Sequence, residues 1–529
     1  MLVGAGDHQH LVARHALVAG ENVGRYAEPG DVPDVAGSVG VRPGDGGEDA
    51  RHAFQGKPWP GPVRAPATII DVNPTPAQLV AHLAATGRRP AALVGDWFGH
   101  AAVVAVDCAP RPVTGRGGSA FSLDDGPPSP TSTTPDDSAE AWTFGWLPYS
   151  GTAFSAETRD VLFYDAAAED AGPAAGAWSV APGASPELAV ALPALLADAA
   201  ASALPEDPVI AWDDGDRAAH ERGVLDCLDA IRAGDVYQAC LSTRFHGTVT
   251  PPHVVADAVT AASSSTAADS PAPNPTVYAA AGWWARRVAE HSPVRGAFLA
   301  GIDGDGRDIV VASLSPEEFL VRDGDTVRES PIKGTVPLSA DPAELAASRK
   351  DVAENIMIVD LVRHDLGQVA VTGGVRVTDL LAVRPAPGVW HLVSEVTATL
   401  PERLAHADLI DACFPPASVT GTPKIRAAEL ISEWEPVARG VHCGGVGAAV
   451  GGRLELNVAI RTAEFRGPAP LLDDADAADE GAGAPITVDV GVGGGITIDS
   501  DPADEWDEIL AKAAPLIGPD LLGRRAPLQ

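Results

Sequence analysis

From about residue 67 onward the chain is written as short apolar runs separated by glycine and proline, and this rhythm narrows what it folds into. Ala67-Thr68-Ile69-Ile70, Ala92-Leu93-Val94 and Ala102-Val103-Val104-Ala105-Val106 are too short for ordinary helices and are read as strands. A helical period runs from Asp216 to Ala233, and many more β-rich runs follow from Val236, interrupted by further stretches of helical period: Arg349 to Leu361, Ile425 to Trp434, and Pro502 to Lys512. No repeat of 20–50 residues is present, which excludes solenoids and propellers. A mixed α/β chain of 529 residues, 45% hydrophobic, is large enough to bury an extended core as one unit.

Four regions are expected. Residues 1–65 carry Gly, Asp, Val, His and Pro without sustained periodicity and are read as a disordered extension, dispensable for folding. Residues 66–215 form an N-terminal region, 216–515 a catalytic region and 516–529 a tail. Soft stretches at Gly117–Asp137, Asp165–Ser185, Pro251–Pro275 and Gly467–Pro485 are read as loops, the third with a possible helix.

The net charge of −35 argues against a general nucleic-acid binder. Five cysteines without a CxxC pair suggest buried thiols in a reducing cytoplasm. The longest apolar stretch, Leu188 to Leu204, is broken by Pro193 and Asp198, so no membrane span is expected.

Lysine is scarce. The chain has five, Lys57, Lys333, Lys350, Lys424 and Lys512, and arginine supplies the remaining positive charge. Lys333 stands in Glu329-Ser330-Pro331-Ile332-Lys333-Gly334-Thr335, between an apolar run and a Gly-Thr turn. An amine there is expected to be desolvated and lowered in pKa, free to attack carbon, which a guanidinium cannot do. A lysine snorkelling from a strand end would be written the same way.

Two helical patterns carry paired carboxylates. Asp351 and Glu354 are i,i+3 neighbours, and Glu505, Glu508 and Lys512 share a face behind the N-cap Asp501 and Pro502. They suit solvated faces, or two halves of a site for a hard cation such as Mg²⁺. Ser418 to Lys424 brings hydroxyls and backbone N–H groups to a helix start, as an anion site or as an ordinary cap. Ile486 to Gly495 reads as a strand followed by glycines, and Asn457 to Thr462 as a strand whose Arg461 forks onto a carboxylate or faces solvent.

In order and spacing these segments resemble the chorismate-utilising enzymes, a family that includes anthranilate, aminodeoxychorismate, isochorismate and salicylate synthases. The matching blocks are Gly234–Gln238 with Leu241-Ser242, Ser313–Glu317, Pro331–Thr335, Asp351–Gly367, His391–Ser394, Ser418–Lys424, Asn457–Thr462 and Val492–Glu508. Phe144–Tyr149 resembles the family's N-terminal region more weakly. The resemblance implies a large α/β (α+β) fold in which two antiparallel sheets form a sandwich flanked by helices, as in anthranilate synthase component I.

It also implies roles. Glu354 and Glu508 would be Mg²⁺ ligands, with Asp351 and Glu505 holding metal-bound water. Arg461, Lys512, Thr420 and the backbone of Gly493, Gly494 and Gly495 would grip the chorismate carboxylates, and His391 would line the ring pocket. Glu317 would protonate the leaving C4 hydroxyl. Water-using members carry lysine where this chain has Gln238, and anthranilate synthases carry alanine where it has Lys333. The pair therefore implies the aminodeoxychorismate-forming branch, in which Lys333 bonds to C2 before ammonia enters at C4. Ammonia would come from a separate glutamine amidotransferase subunit, since no Cys-His-Glu glutaminase module is recognisable. An anthranilate synthase component, or an inactive chorismate-binding subunit, are the competing readings. Three positions depart from the pattern: Cys240 for a frequent asparagine, His364 for the common asparagine of an Arg-Asn-Asp run, and His442 for a substrate-facing tyrosine. His442 stands to alter affinity or introduce pH dependence.

Overall fold

The computed structural model describes residues 73–115, 117–121, 141–166, 176–250, 272–468 and 485–518. The expected N-terminal extension, most of the 251–275 and 467–485 stretches and nearly all of the tail lie outside the described residues.

The described strands build two sheets in which every neighbouring pair is antiparallel. The first runs, edge to edge, Gly421–Thr422, Gln238–Thr250, Ile486–Ile496, Thr462–Arg466, Asp308–Ser315, Arg295–Ile302, Ala91–Trp97, His100–Ala105, Val161–Asp165 and Ala177–Val180. The second runs Ile332–Pro337, Val389–Thr399, Thr326–Glu329, Glu318–Asp323, Arg453–Val458, Gly445–Val450, Trp142–Leu147, Phe154–Thr158 and Arg111–Pro112. The short strand Val209–Trp212 and the 11-residue strand Arg376–Ala386 add to Gln238–Thr250 and Val389–Thr399 respectively.

Strand alternation explains why the apolar runs are unbroken. Ala91 and Leu93 point between the sheets and pack with Trp142, Phe144, Trp146, Val446 and Ala448. Their neighbours Ala92 and Val94 point the other way, into a layer with Leu79 and Leu83 of helix Pro76–Ala85 and Trp283 and Trp284 of helix Pro275–His291. Both faces of the sheet are therefore dry, and a strand buried on two sides has no polar alternate residue. Helix Arg349–Gly367 covers the outer face of the second sheet, setting Ile358, Val362 and Leu366 against Val396, Ala398 and Leu454. The architecture is the helix-flanked two-sheet sandwich expected from the resemblance.

The N-terminal region completes both sheets: Ala91–Trp97 pairs with Arg295–Ile302, and Trp142–Leu147 pairs with Gly445–Val450. Local signals set the helix ends. Asp501 accepts from the backbone N–H of Ala503 and Asp504 to start Pro502–Ile517, and Asp216 caps Arg217–Ala233, which ends on left-handed Gly234. Leu188 to Leu204 lies largely in helix Pro186–Ala201, and among the described residues no helix is long and apolar enough to cross a membrane.

Candidate active site

The end of each sheet that carries Gln238–Thr250 and Ile332–Pro337 meets helix Arg349–Gly367 and the segment Ala417–Thr422, and most of the chemical motifs gather there. Lys333 lies inside strand Ile332–Pro337, not at its end. The ladder shifts between Lys333 and Thr335, which sit opposite adjacent residues, Leu392 and His391. Gly334 absorbs the extra residue at φ 73°, and a Cβ there would come 3.0 Å from the Asp351 carboxyl carbon, so glycine is needed for both reasons. Lys333 Nζ donates to the Ser418 carbonyl oxygen at 2.9 Å, and Cys240 Sγ reaches the same oxygen at 3.3 Å.

The amine departs from the expectation of a lowered pKa. Desolvation does pull it down, but Cys240, Glu317 and Glu354 around it outweigh that and hold it above the ordinary lysine value. Glu317 is 5% exposed, and burial raises its carboxyl above the usual range against the opposing pull of Lys333 and a hydrogen bond from Ser418. The Glu317 carboxyl and the Lys333 side-chain nitrogen thus share one buried region. Gln238, 1% exposed, faces the same side of its strand as Cys240, while Ala239 and Leu241 pack into a separate apolar layer beneath. Neither amide atom of Gln238 has a hydrogen-bond partner among the described residues. Leaving a buried amide unpaired costs about 1–3 kcal/mol per group, so a donor and an acceptor are held ready for a polar ligand.

The expected metal carboxylates come from two helices. Glu354 is 8% exposed, its carboxyl raised by desolvation, and its Oε1 has no partner. From helix Pro502–Ile517, Glu505 accepts from Ser500 Oγ at 2.7 Å and is likewise raised by burial. Burial opposes the charge of Glu508, but Lys512 Nζ at 2.6 Å outweighs it and lowers its pKa. Both sets converge on one glycine pair: a Cβ on Gly494 would lie 3.2 Å from Glu505 Oε2, and one on Gly495 3.6 Å from Glu354 Oε2. Among the described residues no three such groups stand close enough to hold a metal as placed. The unpartnered Glu354 oxygen and the facing carboxylate pairs are donors of the kind a hard divalent cation takes.

Arg461 corrects the expectation of a strand residue. It lies between strands Arg453–Val458 and Thr462–Arg466 at φ 50°, a left-handed conformation that costs a non-glycine residue energy. Desolvation lowers its pKa, and among the described residues no carboxylate forms a salt bridge with it. Burial of the nearby His391 first, and then the Arg461 charge, lower its pKa, and the His391 ring shares a 2.9 Å hydrogen bond with Thr335 Oγ1. A partly desolvated guanidinium with no carboxylate partner has the chemistry to take one.

The glycines lie within strand Ile486–Ile496. Past Val490 that strand loses its Thr462–Arg466 neighbour and pairs only with Gln238–Thr250, so Gly491 to Gly495 turn one row of backbone groups to an open side. Lys512 Nζ donates to the Gly493 carbonyl there at 3.0 Å. Thr420 differs from its expected role. Fully buried, it donates its hydroxyl hydrogen to Pro416 O at 2.9 Å and so braces the loop. Lys424 is also structural, bound to Asp365 at 2.5 Å and to the Cys413 and Pro415 carbonyls. His442 is 4% exposed, and burial together with the Arg439 charge pushes its pKa down to about 3, so it adds no titration near neutrality.

Arg439 was not singled out from the sequence, yet it holds this region together. Its side chain pairs with Glu435 at 2.6 Å, donates to the carbonyls of Val419 at 2.9 Å and Cys240 at 2.7 Å, and lies over the Tyr149 ring at 4.4 Å. It ties the Ser418–Thr420 loop, where Lys333 rests, to strand Gln238–Thr250. Arg439→Ala is expected to cost about 3–5 kcal/mol, because it strands a buried carboxylate. Arg439→Lys should recover only part of that, since one ammonium cannot span the fork; urea midpoints of the two variants check both statements.

Residues 284–518 match the family model described as chorismate binding enzyme. The aminodeoxychorismate synthase component 1 of Escherichia coli strain K12 is 49% identical over 160 residues, covering 29% of this chain and 35% of that protein. The anthranilate synthase component 1 of Neisseria meningitidis serogroup C is 35% identical over 221 residues, covering 40% and 41%. The chain spans less than half the length of the curated relatives it matches. In fold it is similar to anthranilate synthase component I from Streptococcus pneumoniae TIGR4, with a TM-score of 0.55 at 20% identity over 86% of this chain and 95% of that one. The motif order and the assembled site agree with that match of residues 284–518 to the chorismate binding enzyme family.

Proposed function

We propose that this chain converts chorismate and ammonia to 4-amino-4-deoxychorismate, as the synthase component of a p-aminobenzoate route. The observation that carries the reading is Lys333 beside Glu317, in a chamber where Gln238 takes the place of a water-activating base. Relatives named aminodeoxychorismate synthase component 1 support it at higher identity than those named anthranilate synthase. Five free, buried cysteines suit a reducing cytoplasm.

Arg461, Lys512 and the open glycine backbone hold the substrate carboxylates, and His391 lines the ring. Moving one proton from Lys333 to Glu317 produces the nucleophile and the acid together. Glu317 then protonates the C4 hydroxyl, which leaves as water while Lys333 Nζ bonds to C2 and the ring double bonds shift. Gln238 orients ammonia, which bonds to C4 as the lysine leaves C2 and the double bonds return. Glu354 and Glu508 would hold Mg²⁺, with Asp351 and Glu505 binding its waters; the ion would supply positive charge to a substrate carboxylate. The name component 1 among relatives supports a separate amidotransferase as ammonia source.

The decisive experiment incubates the protein with chorismate, Mg²⁺ and ammonium at pH about 8.5 and identifies products by mass spectrometry. Aminodeoxychorismate is expected; anthranilate or isochorismate as sole product overturns the reading, and no turnover would favour a binding subunit. Glu508→Gln should need at least about ten-fold more Mg²⁺ for half-maximal rate. An unchanged Mg²⁺ response would remove that residue from the metal site.

A further inference from the structure

Three segments close on one serine. Ser418 stands in the tight turn Ala417–Val419 and is 6% exposed. Its carbonyl oxygen takes two donors, Lys333 Nζ at 2.9 Å and Cys240 Sγ at 3.3 Å, which occupies both lone pairs. Its hydroxyl donates to the Glu317 carboxyl, which also accepts from the backbone N–H of Ile332. Ile332 directly precedes Lys333, so the acid and the amine are linked twice, through strand Ile332–Pro337 and through Ser418. One residue touches both partners of the proton transfer, with its main chain on the amine and its side chain on the acid.

The turn is held from both sides. Arg439 donates to the Val419 carbonyl at 2.9 Å, Thr420 Oγ1 to Pro416 O at 2.9 Å, and the Cys240 backbone N–H to Thr420 O at 2.8 Å. Around Glu317, burial disfavours the charged carboxyl, while Lys333, the Ser418 hydroxyl and the Ile332 N–H favour it. Glu329, from strand Thr326–Glu329, also acts on Glu317; burial, and Asp365 after it, hold the Glu329 carboxyl well above the usual range against Lys424, so it stands by as a neutral acid. The balance matters because a proton on each of Glu317 and Lys333 leaves no nucleophile. A hydroxyl that donates to the ionised carboxyl discourages Glu317 from taking a proton from solvent before Lys333 gives one.

We propose that Ser418 is the positioning residue of the acid–amine pair: its carbonyl holds the amine, and its hydroxyl keeps Glu317 open to the proton that Lys333 gives up. The inference rests on the amination reading above. It adds a residue that makes and breaks no bond to carbon, and it explains why a serine sits where the loop, the acid and the amine meet.

Ser418→Ala separates the two contacts, because it removes the hydroxyl and leaves the carbonyl. Losing a bond to the charged form raises the Glu317 pKa, so pairs carrying both protons persist to higher pH. The readout is the rate at which Lys333 takes up the chorismate skeleton, less one water, in samples quenched without ammonium between pH about 6 and about 10 and weighed by mass spectrometry. In Ser418→Ala the acid limb of that profile should move up by about half a pH unit or more, while the alkaline limb, set by Lys333, stays in place. Ser418→Cys, whose thiol is a weaker donor, should fall between the two, and it carries the test if the alanine variant is insoluble. An acid limb that does not move, or two limbs that move together, overturns the inference, since a serine that only packs the turn would slow the reaction alike at every pH. Wild-type protein that forms no Lys333 adduct would instead remove the reading on which the inference rests.

Discussion

Lys333→Ala is expected to lower aminodeoxychorismate formation about a thousand-fold, the scale on which enzymes depend on an activated nucleophile or its proton transfer. Without the amine, C2 has no temporary substituent, and residual turnover should drift toward ammonia entering at C2. Mass spectrometry of wild-type protein quenched during turnover should find the substrate skeleton on Lys333, less one water, and nothing in the variant. Lys333→Arg should fare no better, because a guanidinium stays protonated. An unchanged rate and product in Lys333→Ala, with no adduct in wild type, would make the residue an ordinary strand lysine.

Glu317→Gln is the second large loss, expected at about 10²- to 10⁴-fold in kcat, since the amide cannot protonate a departing hydroxyl. KM for chorismate should change little, because the acid works in the bond-breaking step. The pH profile supplies a sign to check. Burial raises the Glu317 carboxyl and the Lys333 charge pulls it back. In wild type Lys333 supplies the proton that Glu317 passes on, so activity holds until pH rises through the raised Lys333 pKa. In Lys333→Ala, Glu317 must keep its own proton, so residual activity should fall at lower pH than in wild type. A profile that persists to higher pH than wild type would mean that the proton does not come from Lys333.

The strands and helix starts were legible because their signals are local. Asp501 and Pro502 announce a helix within three residues, and runs like Ala102 to Val106 announce a strand buried on both faces. The site was legible only as an ordered set of motifs, since its groups come from segments up to about 270 residues apart. Its electrostatics were hidden for the same reason. The pKa of Lys333 depends on Cys240, Glu317 and Glu354, of which only the two glutamates are even moderately near in sequence. Arg461 looked like a strand residue until the strand was seen to stop at Val458, which leaves the arginine in a left-handed turn. Arg439 carried no signal because two of its partners are main-chain carbonyls, 20 and 199 residues away.

The scarcity of lysine has a practical outcome once its placement is known. Lys350, Lys512 and Lys333 all act on the Glu508 carboxylate, so three of the chain's five lysines surround a single cleft. Lys424 is tied into a buried ion pair with Asp365. Apart from Lys57, which lies outside the described residues, the lysines open to amine-directed reagents are those of this cleft. Their uptake, counted on the intact chain by mass, becomes a footprint of occupancy without any engineered label. Substrate in the cleft should protect a countable number of sites.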